Sequence, residues 1–225
     1  MLLNMEKKFT RPVISGVQNI ELYPYYQGAR SLKQKYGEMT YSRLFCFAKD
    51  LQNKINDKLK RELEQKGIKN KKRIGLGEEA VYNNVKIYLR QSAKEIICSY
   101  DERRSAANNS LYVFSLRNSN QHTKVLLQYL CGFLNSKLVT FFAQKRNIIR
   151  FTKGKQPQMK ISDLKSISIP MHKSLVKKIS SLVSDIYKNK KYRERNKKII
   201  DGLVYDYYRI SDREVGFINN SIRDF

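Results

Sequence analysis

"TKVLLQYLCGFLNSKLVTFFAQKR", Thr123 to Arg146, carries the strongest periodic signal in the chain. At 3.6 residues per turn, Leu126, Leu127, Leu130, Phe133, Leu134, Leu138, Phe141 and Phe142 fall on one broad face, so the stretch predicts a packed helix. Upstream the period shortens to two. "VKIYLRQ" (Val85–Gln91), "EIICSY" (Glu95–Tyr100) and "LYVFSL" (Leu111–Leu116) are β-branched or aromatic runs broken by polar turns, and they read as paired strands. The opening "FTRPVISGVQNIELYPYY" (Phe9–Tyr26) reads as short extended pieces, because Pro12 and Pro24 oppose helix. From Tyr41 to Gln65 the spacing of Leu44, Phe47, Ala48, Leu51, Ile55, Leu59 and Leu63 predicts a helix that stops near Gly67. Downstream, Leu175, Ile179, Leu182 and Ile186 step by four, three and four, as a packed helix does, and "SDRE" (Ser211–Glu214) is a capping box opening a last helix. The expected class is α+β. A body over 1–171 holds a small twisted sheet, packed helices and a helical insertion at about 41–66; a helical tail follows over 172–225.

Composition narrows the partner. The chain has 225 residues and 45 Lys+Arg against 20 Asp+Glu, a net charge of +25. Such an excess strains a compact state by self-repulsion and points to a polyanion, nucleic acid first. A generally Lys-rich composition would bring parallel Asp/Glu enrichment, which is missing. Cys46, Cys98 and Cys131 are widely spaced, with no CxxC or Cys/His pairing, so neither a disulfide framework nor a zinc site is indicated and reduced, half-buried thiols are expected. "MLLNMEKKF" lacks an apolar core for a signal peptide, and nowhere do about 18 apolar residues run together. The expectation is a cytoplasmic protein that does not enter a membrane.

Material for catalysis is sparse. His122 and His172 lie in unrelated contexts, too few for a metal cluster or a His-based triad. "GLGEE" (Gly75–Glu79) lacks the third glycine of a nucleotide loop and reads as a turn and a helix N-terminus. Asp101 and Glu102 sit beside Arg103 and Arg104, which reads as local charge balancing. What remains is basic and amide side chains in polar segments: Lys86, Arg90 and Gln91; Arg103 and Arg104; Arg146 and Arg150; then Lys153, Lys155, Gln156, Gln158 and Lys160. Lys and Arg neutralise phosphates, whereas Arg, Gln and Asn also make paired contacts to purine edges. The candidate DNA contacts are Arg146, Arg150, Lys153, Lys155, Gln156, Gln158 and Lys160, with Arg90 and Gln91 next. Most lie in or beside "KGKQPQMKISDLKSISIP" (Lys153–Pro170), where Gly154 and Pro157 suit a loop that approaches a duplex closely and a strand, "SISIP", closes the body.

The succession "RPVISGVQNI", "KIYLRQSAKEIICSYDE", "SLYVFSL", "LLQYLCGFLNSKLVTFFA", "KGKQPQMKISDLKSISIP", "ISSLVSDIY" and "IDGLVYDYYRISDREVGFI" resembles the TaqI-like C-terminal specificity domain of adenine-specific DNA methyltransferases. The domain also occurs in bifunctional restriction–methylation enzymes and is similar to the target-recognition domains of type I specificity subunits. "LCGFLNSK" (Leu130–Lys137) and the ending Ile200–Glu214 carry the resemblance together, over about Arg11 to Phe225. The family's polar turn departs here: "VISGVQNI" puts Ser15, Val17 and Gln18 where a basic residue and a Lys/Arg-Asp pair are usual, so no contact is carried over to that turn.

The resemblance implies a sequence-specific DNA-recognition module of a restriction-modification system, without catalysis by this chain alone. No cofactor is expected here; S-adenosylmethionine belongs on a partner carrying the Asn-Pro-Pro-aromatic motif, which this chain lacks. Partners would be double-stranded DNA and a methyltransferase or restriction subunit, with the helices available for a homodimer. Two alternatives stay open: a fragment or subunit of a methyltransferase or restriction enzyme that is active only when joined to its catalytic part, and a basic RNA-binding protein.

Overall fold

The computed structural model describes residues 22–45, 48–68, 78–116 and 120–223. "VISGVQNI", Cys46, Gly75 and Gly77 lie outside the described residues. The organising element is an antiparallel sheet in the order β4-β3-β6, with β3 at Lys86–Arg90, β4 at Cys98–Asp101 and β6 at Leu111–Ser115. The three runs predicted as strands are these three: β3 and β6 fall inside their runs, and β4 starts three residues late and ends one residue past its run. Ile87 faces Tyr100 and Phe114, and Tyr88 faces Ser99 and Val113.

Both faces of this sheet are covered, which is why the middle of β3, Ile87–Leu89, is buried and apolar at every position rather than alternating. Ile87, Leu89, Cys98 and Tyr100 enter the large core built with the helices, while Tyr88, Ile97 and Leu111 enter a second core with Tyr26, Leu32 and Met39. A smaller sheet, β2-β1-β5, lies beyond the second core: β1 is Tyr23–Tyr26, β2 is Arg43–Phe45 and β5 is Ala106–Ala107. Between β1 and β2 lies the single turn α1, Gly28–Ser31.

The helix predicted from Tyr41 begins only at Lys49, as α2 (Lys49–Gln65). Arg43–Phe45 pairs instead with Tyr23–Tyr25, and Phe45 is buried against Tyr23 and Tyr25. Tertiary pairing overrides local periodicity here. A short helix α3, Glu79–Asn83, precedes β3.

Thr123–Arg146 is also not one helix. It forms α4 (Gln121–Leu134) and α5 (Lys137–Lys145), bent by 61°. The break has a polar cause. Asn135, buried between the helices, accepts from the Cys98 amide at 2.9 Å and donates to the Cys98 carbonyl at 2.9 Å, pinning the start of β4. Ser136 then caps α5 by accepting from the Val139 amide. Among the described residues no single helix is long and apolar enough to cross a membrane. Cys98 and Cys131, far apart in sequence, meet here with sulfurs 3.9 Å apart, both fully buried and free.

After α5 come a small hairpin, β7 (Ile149–Arg150) and β8 (Gln158–Met159), and one turn, α6 (Ile161–Leu164). "SISIP" is not a strand: it finds no partner strand, its Ser166 hydroxyl turns back to the Asp163 carbonyl, and only Ile167 of its two isoleucines is buried. The tail comprises α7 (Lys173–Lys188), α8 (Arg193–Tyr207) and α9 (Asp212–Arg223). Leu175, Ile179, Val183 and Ile186 of α7, with Ile200 and Val204 of α8, complete the large core. Tyr187 reaches the edge of β4, where its hydroxyl accepts from the Tyr100 amide at 2.8 Å. The capping box is formed: the Ser211 amide donates to the Glu214 carboxylate, and the Glu214 amide to the Ser211 hydroxyl.

Helices α4 and α7 cross at Gly132. A Cβ there would lie 2.3 Å from Ile179 Cγ2 and 2.9 Å from Val183 Cγ2, so only glycine admits the approach. Gly132→Ala should therefore destabilise the fold by about 1–3 kcal/mol despite alanine's better helix propensity. Gly202→Ala in α8, where a Cβ meets nothing within 4 Å, should instead stabilise by up to about 1 kcal/mol. Denaturant unfolding of the two variants checks both signs.

Candidate nucleic-acid interface

The loop 151–157 is the tip of the β7–β8 hairpin, fastened to one end of the central sheet. Met159 is buried; its amide donates to the Gln91 carbonyl at 2.9 Å and its carbonyl accepts from the Tyr112 hydroxyl at 2.8 Å. Gln91 in turn donates its amide to the Ser110 carbonyl at 3.0 Å. Arg150 is held at the hairpin base by Asp163, Nη2 to Oδ2 at 2.6 Å. Within the loop the Lys155 amide closes a turn on the Thr152 carbonyl at 3.0 Å.

Beside this hairpin lies a cleft of about 350 Å³. Arg90, at the end of β3, and Gln156, from the loop, line it together with Gln27, Arg30, Asn108 and Ser110. Its far wall depends on Gly28, which takes φ +41° and whose Cβ would lie 2.9 Å from Ser110 Cβ, so α1 and the turn before β6 can touch. Asn108 shapes that turn by accepting from the Ser110 amide at 3.2 Å.

The sequence-predicted residues thus divide. Arg90 and Gln156 meet in one cleft. Lys153, Lys155, Gln158 and Lys160 are exposed along the hairpin and just after it, and none of these lysines has an ion-pair partner among the described residues. Arg146 is exposed at the end of α5, its guanidinium 5.8 Å from the Phe142 ring centre. Gln91 is half-buried and ties the hairpin to the sheet through its backbone. Gln27, Arg30, Asn108 and Ser110 were not among the candidates; a polar pair before "ARS" and the turn-forming "NNS" before β6 were the available signals.

Three other basic candidates are engaged by the protein itself. Lys86 is fully buried and donates to the carbonyls of Tyr82 (3.0 Å) and Arg103 (2.8 Å) and to the Ser105 hydroxyl (3.3 Å). Arg103 pairs with Asp101 at 2.9 Å, and Arg104 bonds Asn83 at 2.9 Å while lying 4.4 Å from the Tyr23 ring centre. Glu102 reaches Lys124 at 2.8 Å rather than its neighbouring arginines. His122 and His172 are exposed, and among the described residues no group of three or more His, Cys, Asp or Glu converges as metal ligands would.

The protein is thus an α+β body with a basic hairpin and a polar cleft at one end of its central sheet. The profile of the TaqI-like C-terminal specificity domain matches residues 23–170, and the chain belongs to that family. It is accordingly a DNA-recognition specificity module of the methyltransferase type. No curated protein matches the chain.

Burial lowers the Lys86 pKa from 10.5 to about 8. Below that value both folded and unfolded chains carry the charge, and the folded chain alone bears its full burial penalty. Between about 8 and 10.5 only the unfolded chain holds the proton, so stability rises with pH, by about 1 kcal/mol per unit. Above about 10 the buried tyrosines, whose pKa values are raised, act in the opposite direction. Unfolding free energy measured from pH 7.5 to 9.5 should climb in the wild type relative to Lys86→Met; parallel curves would remove Lys86 from the linkage.

Proposed function

We propose that the chain is the DNA-reading part of a restriction-modification system, binding duplex DNA sequence-specifically and leaving chemistry to a separate catalytic polypeptide. The observation that carries this reading is the convergence of Arg90 and Gln156 in a polar cleft flanked by the unpaired lysines of the hairpin. Phosphate neutralisation suits long, exposed, unpaired lysines, which fix position without reading sequence. Base readout suits amides and arginines held by a rigid frame, and the cleft supplies both. The non-catalytic reading draws on the absence of an Asn-Pro-Pro-aromatic tetrapeptide and on the isolation of the two histidines. S-adenosylmethionine belongs on the partner, and the helices of the tail are the surface available to that partner or to a second copy.

Lys153→Ala with Lys155→Ala should weaken binding to any duplex and flatten the dependence of log K on log salt by up to about two units, near 0.9 per lost phosphate contact. Titrations of the full chain on a labelled duplex across salt concentrations measure this, and an unchanged slope removes the loop from the interface. Gln156→Ala or Gln158→Ala should leave the slope intact and relax discrimination at one base pair by about 1–3 kcal/mol. Structured RNA should compete poorly with duplex DNA, and the purified chain should transfer no methyl group from labelled cofactor. Preferential retention of RNA would overturn the DNA reading.

A further inference from the structure

Resting on that DNA-reading function, we infer that Arg90 is a specificity-determining residue that reads a guanine from the major groove, so the target sequence contains a G·C pair at the position facing the cleft. Arg90 differs from the other arginines of the hairpin and cleft in being recessed and without an acidic partner, whereas Arg30 across the cleft is exposed. Arg150 is engaged by Asp163, Arg146 lies against Phe142, and the lysines are exposed. Arg90 is half-buried at the end of a central strand: its amide donates to the Ile97 carbonyl at 3.0 Å, it faces Leu111 of β6, and the next residue, Gln91, bonds Ser110 on that side. Its stem is therefore held by the sheet rather than by a loop.

The head group is unfinished. Arg90 Nε is buried without a hydrogen-bond partner, and no protein group among the described residues bonds the terminal nitrogens. Glu95, the carboxylate whose field reaches it, is ion-paired with Lys35 at 2.7 Å. A half-buried guanidinium without an acidic partner is costly unless a ligand completes it. With Nε sealed inside, the terminal nitrogens are what the cleft offers. Two parallel donors match the adjacent O6 and N7 acceptors of guanine, the commonest specific arginine contact. A phosphate would be met more readily by the exposed lysines, and it would not require an arginine recessed between amide walls. Gln27, Asn108 and Gln156 on the walls can pair with edges of neighbouring bases but carry no cationic fork, and the cleft's other arginine, Arg30, is exposed on the single turn α1 rather than recessed on the sheet.

Selection of bound sequences from a random duplex library, run with the full chain and with Arg90→Gln and Arg90→Lys, tests this. The wild type should enrich a motif with at least one strongly preferred G·C pair. Both variants should lose preference at that pair by about tenfold or more while keeping the rest of the motif. Lysine keeps the charge but not the fork, so relaxation in Arg90→Lys separates base reading from charge and covers the case in which glutamine impairs folding, monitored by thermal melting. An unchanged motif with uniformly weaker binding would make Arg90 a phosphate contact and overturn the inference alone. A wild-type chain that binds no duplex, or binds without any preference, would overturn the DNA-reading function and this inference with it.

Discussion

Everything at the recognition end depends on how closely α4 can approach α7. The central sheet is buried on both faces, and one of those faces is closed by helices that belong to the body and the tail together. At Gly132 the two helices touch with no room for a Cβ, and Tyr36 from the far side of β4 bonds the Gly132 carbonyl at 3.1 Å. This contact holds Asn135 against the Cys98 backbone and Tyr187 against the edge of β4. The sheet edge is thereby satisfied by side chains instead of by another strand. A rigid sheet is in turn what lets Arg90, the Asn108 turn and the hairpin hold their relative positions.

The electrostatics follow a similar division. With 20 acidic against 45 basic residues, acids are scarce, and four of those described brace particular joints. Asp101 holds Arg103, Asp163 holds Arg150, Glu95 holds Lys35, and Glu38 holds Lys190 between the body and the tail. The hairpin lysines receive none. Exposed pairs of this kind contribute little to stability, so their distribution matters more for where positive potential is left uncompensated than for folding.

Much of the scaffold was legible because it rests on local period and local capping. The three sheet strands, the apolar face of α7 and the Ser211–Glu214 box are each encoded within a few residues. The misreadings share one cause, long-range partners. Arg43–Phe45 carries a helical spacing yet pairs with β1; Asn135 breaks an unbroken apolar periodicity because it bonds a strand 37 residues earlier; "SISIP" alternates like a strand but finds no edge. At the site, Lys86 looked like a ligand-facing base and is buried. The cleft was half visible: Arg90 and Gln156 stood out by type, whereas Gln27, Arg30 and Asn108 reach them only through the Gly28–Ser110 contact.

The fastening of the hairpin has a consequence for how such a module diversifies. Its attachment uses the amide and carbonyl of Met159, which any residue other than proline would supply, plus one buried side chain and the Arg150–Asp163 brace. None of these involves the tip, 151–157. Substitutions in the tip therefore leave the frame intact while altering the chemistry that the proposed interface presents. If the tip reads DNA as proposed, specificity and foldability are separately heritable in this segment, and a lineage can drift to a new target without passing through an unfolded intermediate.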